Sequence, residues 1–384
     1  MRGSLLAITL GCFSALPASA ASHSSLLETL VAVGPEGKGN PEAAIALKSL
    51  TAQAKAADIP EILQSMDQAG PLAANWIRAA VFTIVERAAA GGTPLAPESM
   101  AGFLKNTAHG PLGRVLAADL LQQLAPASWE QVMPALLTDP VPALRRQPVA
   151  RLTTAATAAK DKSQLRQALE AARDEDQVRA AADELRKLGD TVDLPRHFGF
   201  LLEWQVIGPF TNKGRSGFDT VFPPETALDF AASYQGKETE PGKDPVVRWQ
   251  KWTAADEFGV VDFNKPLGML KEVTGYATTV YQSPEARPAE IRLGCKNAWK
   301  LWLNGQYIFG RDEYHRGMKI DQYRFPVQLK AGPNTILVKL CQNEQTETWT
   351  TKWDFQLRVC DATGSALLAP DRPPTPEAAI KGKP

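Results

Sequence analysis

The chain has 384 residues, of which 44% are hydrophobic and 22% charged, and its 42 basic residues balance 42 acidic ones. This composition is that of a folded protein with room for two domains, which excludes a mainly disordered chain. Because the formal net charge is zero, no overall field attracts a polyanion, and we expect no nucleic-acid partner.

The N-terminal segment has the composition of a cleavable secretory signal. Arg2 precedes an apolar run over Leu5–Leu16, and small residues follow up to Ala20, so we predict that residues 1–20 are a signal peptide. The run is shorter than the about 20 residues that a membrane span needs, and no later run reaches that length. The sequence therefore predicts a secreted or periplasmic protein without a membrane span. A lipidated Cys12 is the alternative.

Residues 21–190 are predicted to form an α-helical domain, because good helix formers dominate and apolar residues recur three and four positions apart. The clearest apolar stripe consists of Ile77, Ala80, Val81, Ile84 and Val85. Helical segments that follow a proline carry Arg78, Arg114 and Arg146. We expect these arginines to cap carbonyl groups or to pair with nearby acids rather than to act in catalysis.

Residues 196–362 are predicted to form an antiparallel β-sandwich. Seven of the nine Trp fall here, among short runs in which apolar and polar residues alternate. Asn304-Gly305 predicts a tight hairpin turn. The alternation places Trp353 in the core and allows only one of Trp299 and Trp302 to face that core. Residues 363–384 have little apolar content and are predicted to be a disordered tail.

Three cysteines follow the predicted signal peptide: Cys295, Cys341 and Cys360. If the runs 335–341 and 353–360 form a hairpin, Cys341 and Cys360 lie roughly 20 Å apart, too far for a disulfide. A bond between Cys295 and Cys341 and a set of three buried free thiols both remain open.

Two family resemblances follow from short segments. IRAAV and LRRQPVARL resemble the second helices of HEAT repeats, which form an α-solenoid; an irregular helical domain is the alternative. WQVIGPF, KLWLNGQYIF, VQLKAGPNTILVKL and FQLRV resemble the galactose-binding-like jelly-roll modules of bacterial secreted proteins and glycoside hydrolases. These resemblances imply a multidomain α + β chain, with a HEAT-like helical domain before a jelly-roll sandwich. The second also implies a carbohydrate or surface ligand at the loops of one end, in some members with a structural calcium ion.

One loop after Phe309 collects ionisable and aromatic side chains, and a second loop carries an isolated Trp. The candidate ligand-binding residues are Arg311, Asp312, Glu313, His315 and Trp349. Such a set could hold a sugar through hydrogen bonds and stacking. A solvated loop, with Trp349 folded over the hairpin end, is the alternative. Asp312, Glu313 and Asp321 could supply some of the oxygen ligands that calcium needs, but nothing else supports a metal, and we expect no cofactor.

The sequence contains no GxSxG, HExxH, P-loop or CxxCH motif. It therefore favours a non-catalytic secreted binding or scaffolding protein. In this interpretation the sandwich recognises carbohydrate or a cell-envelope component, and the helical repeats contact protein. The alternative is a hydrolase or lyase that acts on polysaccharide, with the sandwich as an accessory module.

Overall fold

Secondary structure changes from helix to strand between residues 198 and 203, as the sequence predicts. The computed structural model describes residues 23–239, 241, 242 and 244–381. Contacts divide the chain into two units, which meet in sequence between Leu136 and Leu137. The predicted signal peptide, residues 1–20, lies outside the described residues. None of the described helices is both long and apolar enough to cross a membrane.

The first unit is built from α-helices that bury apolar stripes. Their bounds are α1 His23–Val31, α2 Asn40–Gln53, α3 Ile59–Ser65, α4 Pro71–Ala90, α5 Pro97–Lys105, α6 Pro111–Leu124 and α7 Pro126–Val132. The last four begin with proline, whose fixed φ and missing N–H group suit a first helical turn. The predicted stripe of α4 is buried from Ile77 to Val85, which confirms the period on which the helical prediction rests.

The second unit also begins with helices. They are α8 Pro142–Ala159, α9 Lys162–Ala171, α10 Glu175–Lys187 and the short α11 Leu194–Phe198. Leu165 of α9 and Val178 of α10 belong to the same apolar core as Trp204 and Phe355 of the strands. The contact boundary therefore lies inside the segment 21–190, because the apolar sides of α9 and α10 are part of the core of the sandwich.

The three arginines of the helical segments have structural contacts. Arg78 lies 3.7 Å from Asp119, and the buried Arg114 donates a hydrogen bond of 2.7 Å to the Leu104 carbonyl. Arg146 of α8 forms 2.8 Å ion pairs with two aspartates of the α10 start. Carbonyl capping and ion pairing are the roles that the sequence predicts for them.

Two antiparallel sheets form the β-sandwich. The strands are β1 Glu203–Thr211, β2 Ser233–Gln235, β3 Val246–Arg248, β4 Gln250–Thr253, β5 Val261–Asp262, β6 Val273–Ser283, β7 Arg287–Cys295, β8 Ala298–Leu303, β9 Gln306–Arg311, β10 Tyr323–Leu329, β11 Gly332–Gln342 and β12 Asp354–Cys360. The larger sheet has the order β4-β1-β6-β11-β8-β9, the smaller β10-β7-β12-β5, and β2 pairs with β3. The inner faces share one core, which includes Ala277 and Leu301 from the larger sheet and Ile291 and Leu357 from the smaller. Short helices are α12 Pro223–Thr226, α13 Asn264–Leu267 and α14 Glu377–Lys381.

Local strand predictions are confirmed. Asn304 and Gly305 connect β8 to β9 with φ values of 54° and 80°, the left-handed pair that a type I′ turn requires. Trp353 and Trp299 are fully buried in the core between the sheets. Trp302 lies on the opposite face of β8, in a second apolar cluster.

The pairing of the last two long runs differs from the hairpin considered above. β11 lies in the larger sheet and β12 in the smaller, so the segment between them crosses from one sheet to the other. Cys295, Cys341 and Cys360 are all free and buried. Burial raises the pKa of Cys341 and of Cys360 to about 11, so both stay protonated thiols at neutral pH.

The described part of the predicted disordered tail packs on the second unit, so that prediction was wrong for residues 363–381. The Leu367 amide donates a hydrogen bond of 3.1 Å to the Val359 carbonyl of β12. Arg372 donates to the Phe200 carbonyl at 2.8 Å, and Ala379 of α14 is fully buried. Scattered apolar residues and side-chain hydrogen bonds hold a segment that is too polar on average to predict as ordered.

A long insertion after β1 covers the outer face of the larger sheet. Phe222, Leu228 and Tyr234 of the insertion pack on an outer cluster that includes Tyr276 and Trp302. Beside this cluster, the fully buried Lys339 of β11 donates to Glu225 at 2.8 Å and to two carbonyls of the insertion. The Tyr276 hydroxyl donates to the same carboxylate. Burial lowers the pKa of Lys339, and the hydrogen bond to Glu225 opposes this shift.

We expect Lys339→Met to lower the free energy of unfolding of the second unit by about 3 kcal/mol or more, because it leaves the Glu225 carboxylate buried without its cation. Lys251→Met, at an exposed position of β4 in the same sheet, should change it by less than about 0.5 kcal/mol. Urea unfolding followed by Trp fluorescence measures both, since seven of the nine Trp lie in this unit. Equal midpoints for the two variants would contradict a buried charge pair.

Candidate functional site

Three segments that follow strands of the larger sheet meet at one end of the sandwich. In the larger sheet, Thr211 at the end of β1 pairs with Val273 at the start of β6, and Val273 also pairs with Gln342 at the end of β11. Trp299 near the start of β8 pairs with Arg311 at the end of β9. β1, β9 and β11 therefore finish at the same end of the larger sheet, and antiparallel pairing brings the segments after them together there. We call these segments the loop end; they are residues 212–218, 312–321 and 343–353.

All five predicted site residues lie at the loop end or at its border. His315 and Trp349 form a ring pair, with centroids 5.4 Å apart and planes at 84°. The His315 Nε2 lies 2.9 Å from the Asn343 amide oxygen, and the Asn343 amide nitrogen donates to Gln345 at 2.8 Å. These contacts hold the imidazole between β11 and the turn Thr348–Thr350 that carries the Trp. Trp349 itself is 62% exposed.

Three charged residues at the start of the first loop are paired with one another. The Glu313 carboxylate lies 3.3 Å from the Arg311 guanidinium and 3.1 Å from that of Arg316. Burial, with a smaller contribution from Asp219, raises the pKa of Asp312. Each of these groups is partly exposed, so they form a polar rim close to the ring pair.

Sequence reasoning missed the part of the loop end that follows β1. Arg215 forms an ion pair with Glu344 at 2.5 Å, and its guanidinium lies 5.3 Å from the centre of the Tyr314 ring. The Tyr314 hydroxyl accepts a hydrogen bond from the buried Asn212 at 3.1 Å. The Arg215 hydrogen bond lowers the pKa of Glu344 to about 2. Only the pairing of β1 with β6 brings residues 212–215 here, and no local sequence pattern marks that pairing.

Asp321, considered above as a calcium ligand, does not face the loop-end surface. Its carboxylate accepts hydrogen bonds of 2.6 Å from both Arg292 and Arg358 on the outer face of the smaller sheet. Burial alone would raise the pKa of Asp321, but the hydrogen bonds and charge of Arg358, followed by those of Arg292, lower it. Among the described residues, no group of three or more potential metal-ligating side chains surrounds a common point.

Comparisons with known proteins give only short matches. No family model matches the chain, and no curated protein matches it. Among solved structures, the chain is similar to a β-glucosidase from Kluyveromyces marxianus (18% identity over 23% of this chain and 11% of that one, TM-score 0.19). It is also similar to the PA14 domain of the MpAFP antifreeze protein (12% identity, 25% and 47%, TM-score 0.20). A third match is a family 35 carbohydrate-binding module from Clostridium thermocellum (12% identity, 23% and 72%, TM-score 0.18).

This chain thus spans about a tenth of the β-glucosidase and about half of the PA14 domain structure. At these scores the similarities do not assign a function to the chain. We therefore base the proposed function on the residues of the loop end.

We expect Asp321→Asn to lower the free energy of unfolding by about 3 kcal/mol at pH 7, because the buried Arg358 loses its carboxylate partner and the buried Arg292 keeps only Glu290. Since the pKa of the folded-state carboxyl is lowered, its stabilisation is complete above the unfolded pKa near 4. It is lost as the pH falls through the lower folded value. The difference between wild type and Asp321→Asn should therefore shrink in acid, as measured by urea midpoints between pH 7 and pH 2.

Asp312→Asn is the matched control, since Asp312 belongs to the same loop, is exposed, and has a raised pKa. We expect its midpoint at pH 7 to equal that of wild type or to exceed it slightly. A loss at pH 7 as large as that of Asp321→Asn would mean that the loop, rather than the buried ion pairs, determines stability.

Proposed function

We propose that the loop end binds carbohydrate and that the chain acts as a non-catalytic binding or scaffolding protein. The observation that carries the proposal is Trp349, which is 62% exposed although it is held on a fixed turn against His315. An exposed Trp supplies a large apolar surface that can stack on the apolar face of a sugar ring. A small-molecule site commonly combines such an aromatic surface with a few polar side chains that fix the orientation of the ligand.

The surrounding residues supply the hydrogen-bonding groups that a sugar ligand needs. Arg311 and Asp312 lie at the rim with exposed polar atoms, and Glu313 is held between two arginines. His315 offers its second ring nitrogen, because the first contacts Asn343. Charged groups that are fixed by ion pairs lose little conformational entropy when a ligand binds. This arrangement supports recognition of a polyhydroxylated ligand without requiring a reaction.

The cellular setting belongs to the same proposal. Export through the N-terminal signal places the protein in the periplasm or outside the cell, where a glycan or an envelope protein is available. The helical unit, with HEAT-like helix pairs, contributes a protein-contact surface. The sandwich then attaches this surface to a carbohydrate-bearing partner.

A glycan array probed with the full chain tests this function. We expect Trp349→Ala to weaken binding of the recognised glycan by about thirtyfold, or about 2 kcal/mol, because the stacking surface is lost. Titration calorimetry with the best glycan measures the change. Tyr307→Ala is the matched control, since Tyr307 is an aromatic residue of β9 that is 51% exposed but lies at the opposite end of that strand from Arg311.

Two results would overturn the proposal. Wild-type protein that binds no glycan, while capturing an envelope protein equally well with and without Trp349, would leave a scaffold whose loop end is structural. Equal losses of glycan binding in Trp349→Ala and Tyr307→Ala would place the ligand elsewhere on the sandwich.

A further inference from the structure

A separate pocket lies on the outer side of the smaller sheet, where β5 ends and β12 begins. It encloses about 330 Å³. The loop 255–260 forms one side, with Phe258 in its wall, and Ala378 of α14 contributes to another. None of its lining residues belongs to the ring pair of the loop end.

Two carboxylates face each other in this pocket. Asp262 and Asp354 are direct partners in the antiparallel pairing of β5 with β12. Their neighbours Val261 and Phe355 belong to the core between the sheets, and successive residues of a strand point to opposite faces. Both aspartates therefore project outward, with Cβ atoms about 5 Å apart as is usual for facing residues. Like charges in this position destabilise a sheet.

Asp354 is the buried member of this pair. It is 3% exposed, and its Oδ1 has no hydrogen-bond partner among the described residues. Burial raises the pKa of Asp354; Asp262 and Asp256 add to this shift, while Lys296 and Lys352 oppose it. A buried oxygen without a partner is unfavourable in a folded protein, and a bound group that donates a hydrogen bond would satisfy it.

Most other charges around the pocket already have partners. Arg179 forms an ion pair with Glu175 at 2.7 Å and stacks over the Phe258 ring at 3.6 Å. The Glu257 carboxylate lies 2.9 Å from Arg186. The Asp256 carboxylate accepts a hydrogen bond from the Phe258 amide at 2.8 Å.

Two further lysines, Lys265 and Lys352, line the pocket and are exposed. Asp256 and Asp262 each accept a hydrogen bond from a backbone amide, but these two aspartates, Asp354 and the two lysines are not in ion pairs with any described residue, so together they carry one net negative charge. The pocket is therefore electrostatically suited to a cation that can donate hydrogen bonds.

We propose that this pocket binds the primary ammonium group of a small organic amine. An ammonium donates three hydrogen bonds, and the facing carboxylates of Asp262 and Asp354 supply acceptors on both sides of it. The volume exceeds that of a single ion and leaves room for the carbon chain of an amine beside Phe258 and Ala255. A metal ion would need more oxygen ligands than the two carboxylates provide, and the described residues offer no third side chain placed to complete such a set.

Titration of the full chain with ethanolammonium chloride, followed by calorimetry, tests the proposal. We expect saturable binding with a Kd on the order of 1 mM, weakened at least tenfold in Asp354→Asn and in Asp262→Asn. Asp229→Asn is the matched control, because it removes an exposed carboxylate of the insertion in the same unit. We expect tetramethylammonium, which has the charge but no N–H group, to bind at least tenfold more weakly than ethanolammonium.

A readout that does not involve ligand separates lost binding from lost folding. Because the pKa of Asp354 is raised, the charged form is unfavourable in the folded state and its cost appears as the pH rises through that pKa. Asp354→Asn should therefore have a urea midpoint at pH 7 equal to or above that of wild type, with a smaller difference at pH 4. Trp349→Ala should bind ethanolammonium like wild type, which keeps this test independent of glycan binding.

Three outcomes would overturn the proposal. The first is a wild type that does not bind ethanolammonium, and the second is an Asp354→Asn variant that binds it as tightly as wild type. The third is calcium that saturates the site and excludes the amine. The last result would assign the carboxylate pair to a metal ion.

Discussion

The apolar core between the two sheets is the constraint on which the rest of the second unit depends. Trp299, Trp353 and Phe355 face inward and are fully buried, and a strand that buries one set of side chains must turn the alternate set outward. The outward set includes Lys339 on the larger sheet and Asp354 on the smaller. Both outer faces are in turn covered by other segments, so charged groups that alternation sends outward are buried as well.

The sequence could predict the features that depend on neighbouring residues. Alternation identified the strands and placed Trp353 in the core, and the left-handed geometry available to Asn304 and Gly305 marked the β8–β9 hairpin. The site prediction used the same local information. It named His315 and Trp349 on two different loops as candidates, and the structure brings their rings into contact.

Features that depend on which strands pair could not be predicted. The run before Cys341 and the run after Trp353 look like the two arms of a hairpin, yet they belong to different sheets. For the same reason Arg215 was missed beside Tyr314, and Asp262 was missed beside Asp354. Each of these contacts joins residues far apart in the chain, and the apolar pattern of a strand specifies its faces but not its partner. The tail was misjudged because average composition hides single anchors such as Ala379.

Two buried charges of this unit have partners of opposite charge, whereas Asp354 has none among the described residues. Lys339 has Glu225 and two carbonyl groups, and Asp321 has two arginines, so each desolvation cost is offset by ion pairs and hydrogen bonds. Asp354 is buried to a similar degree, faces a second carboxylate, and has an oxygen without a partner. An external cation that donates hydrogen bonds, as proposed above, would supply the partner that the Asp354 carboxylate lacks among the described residues.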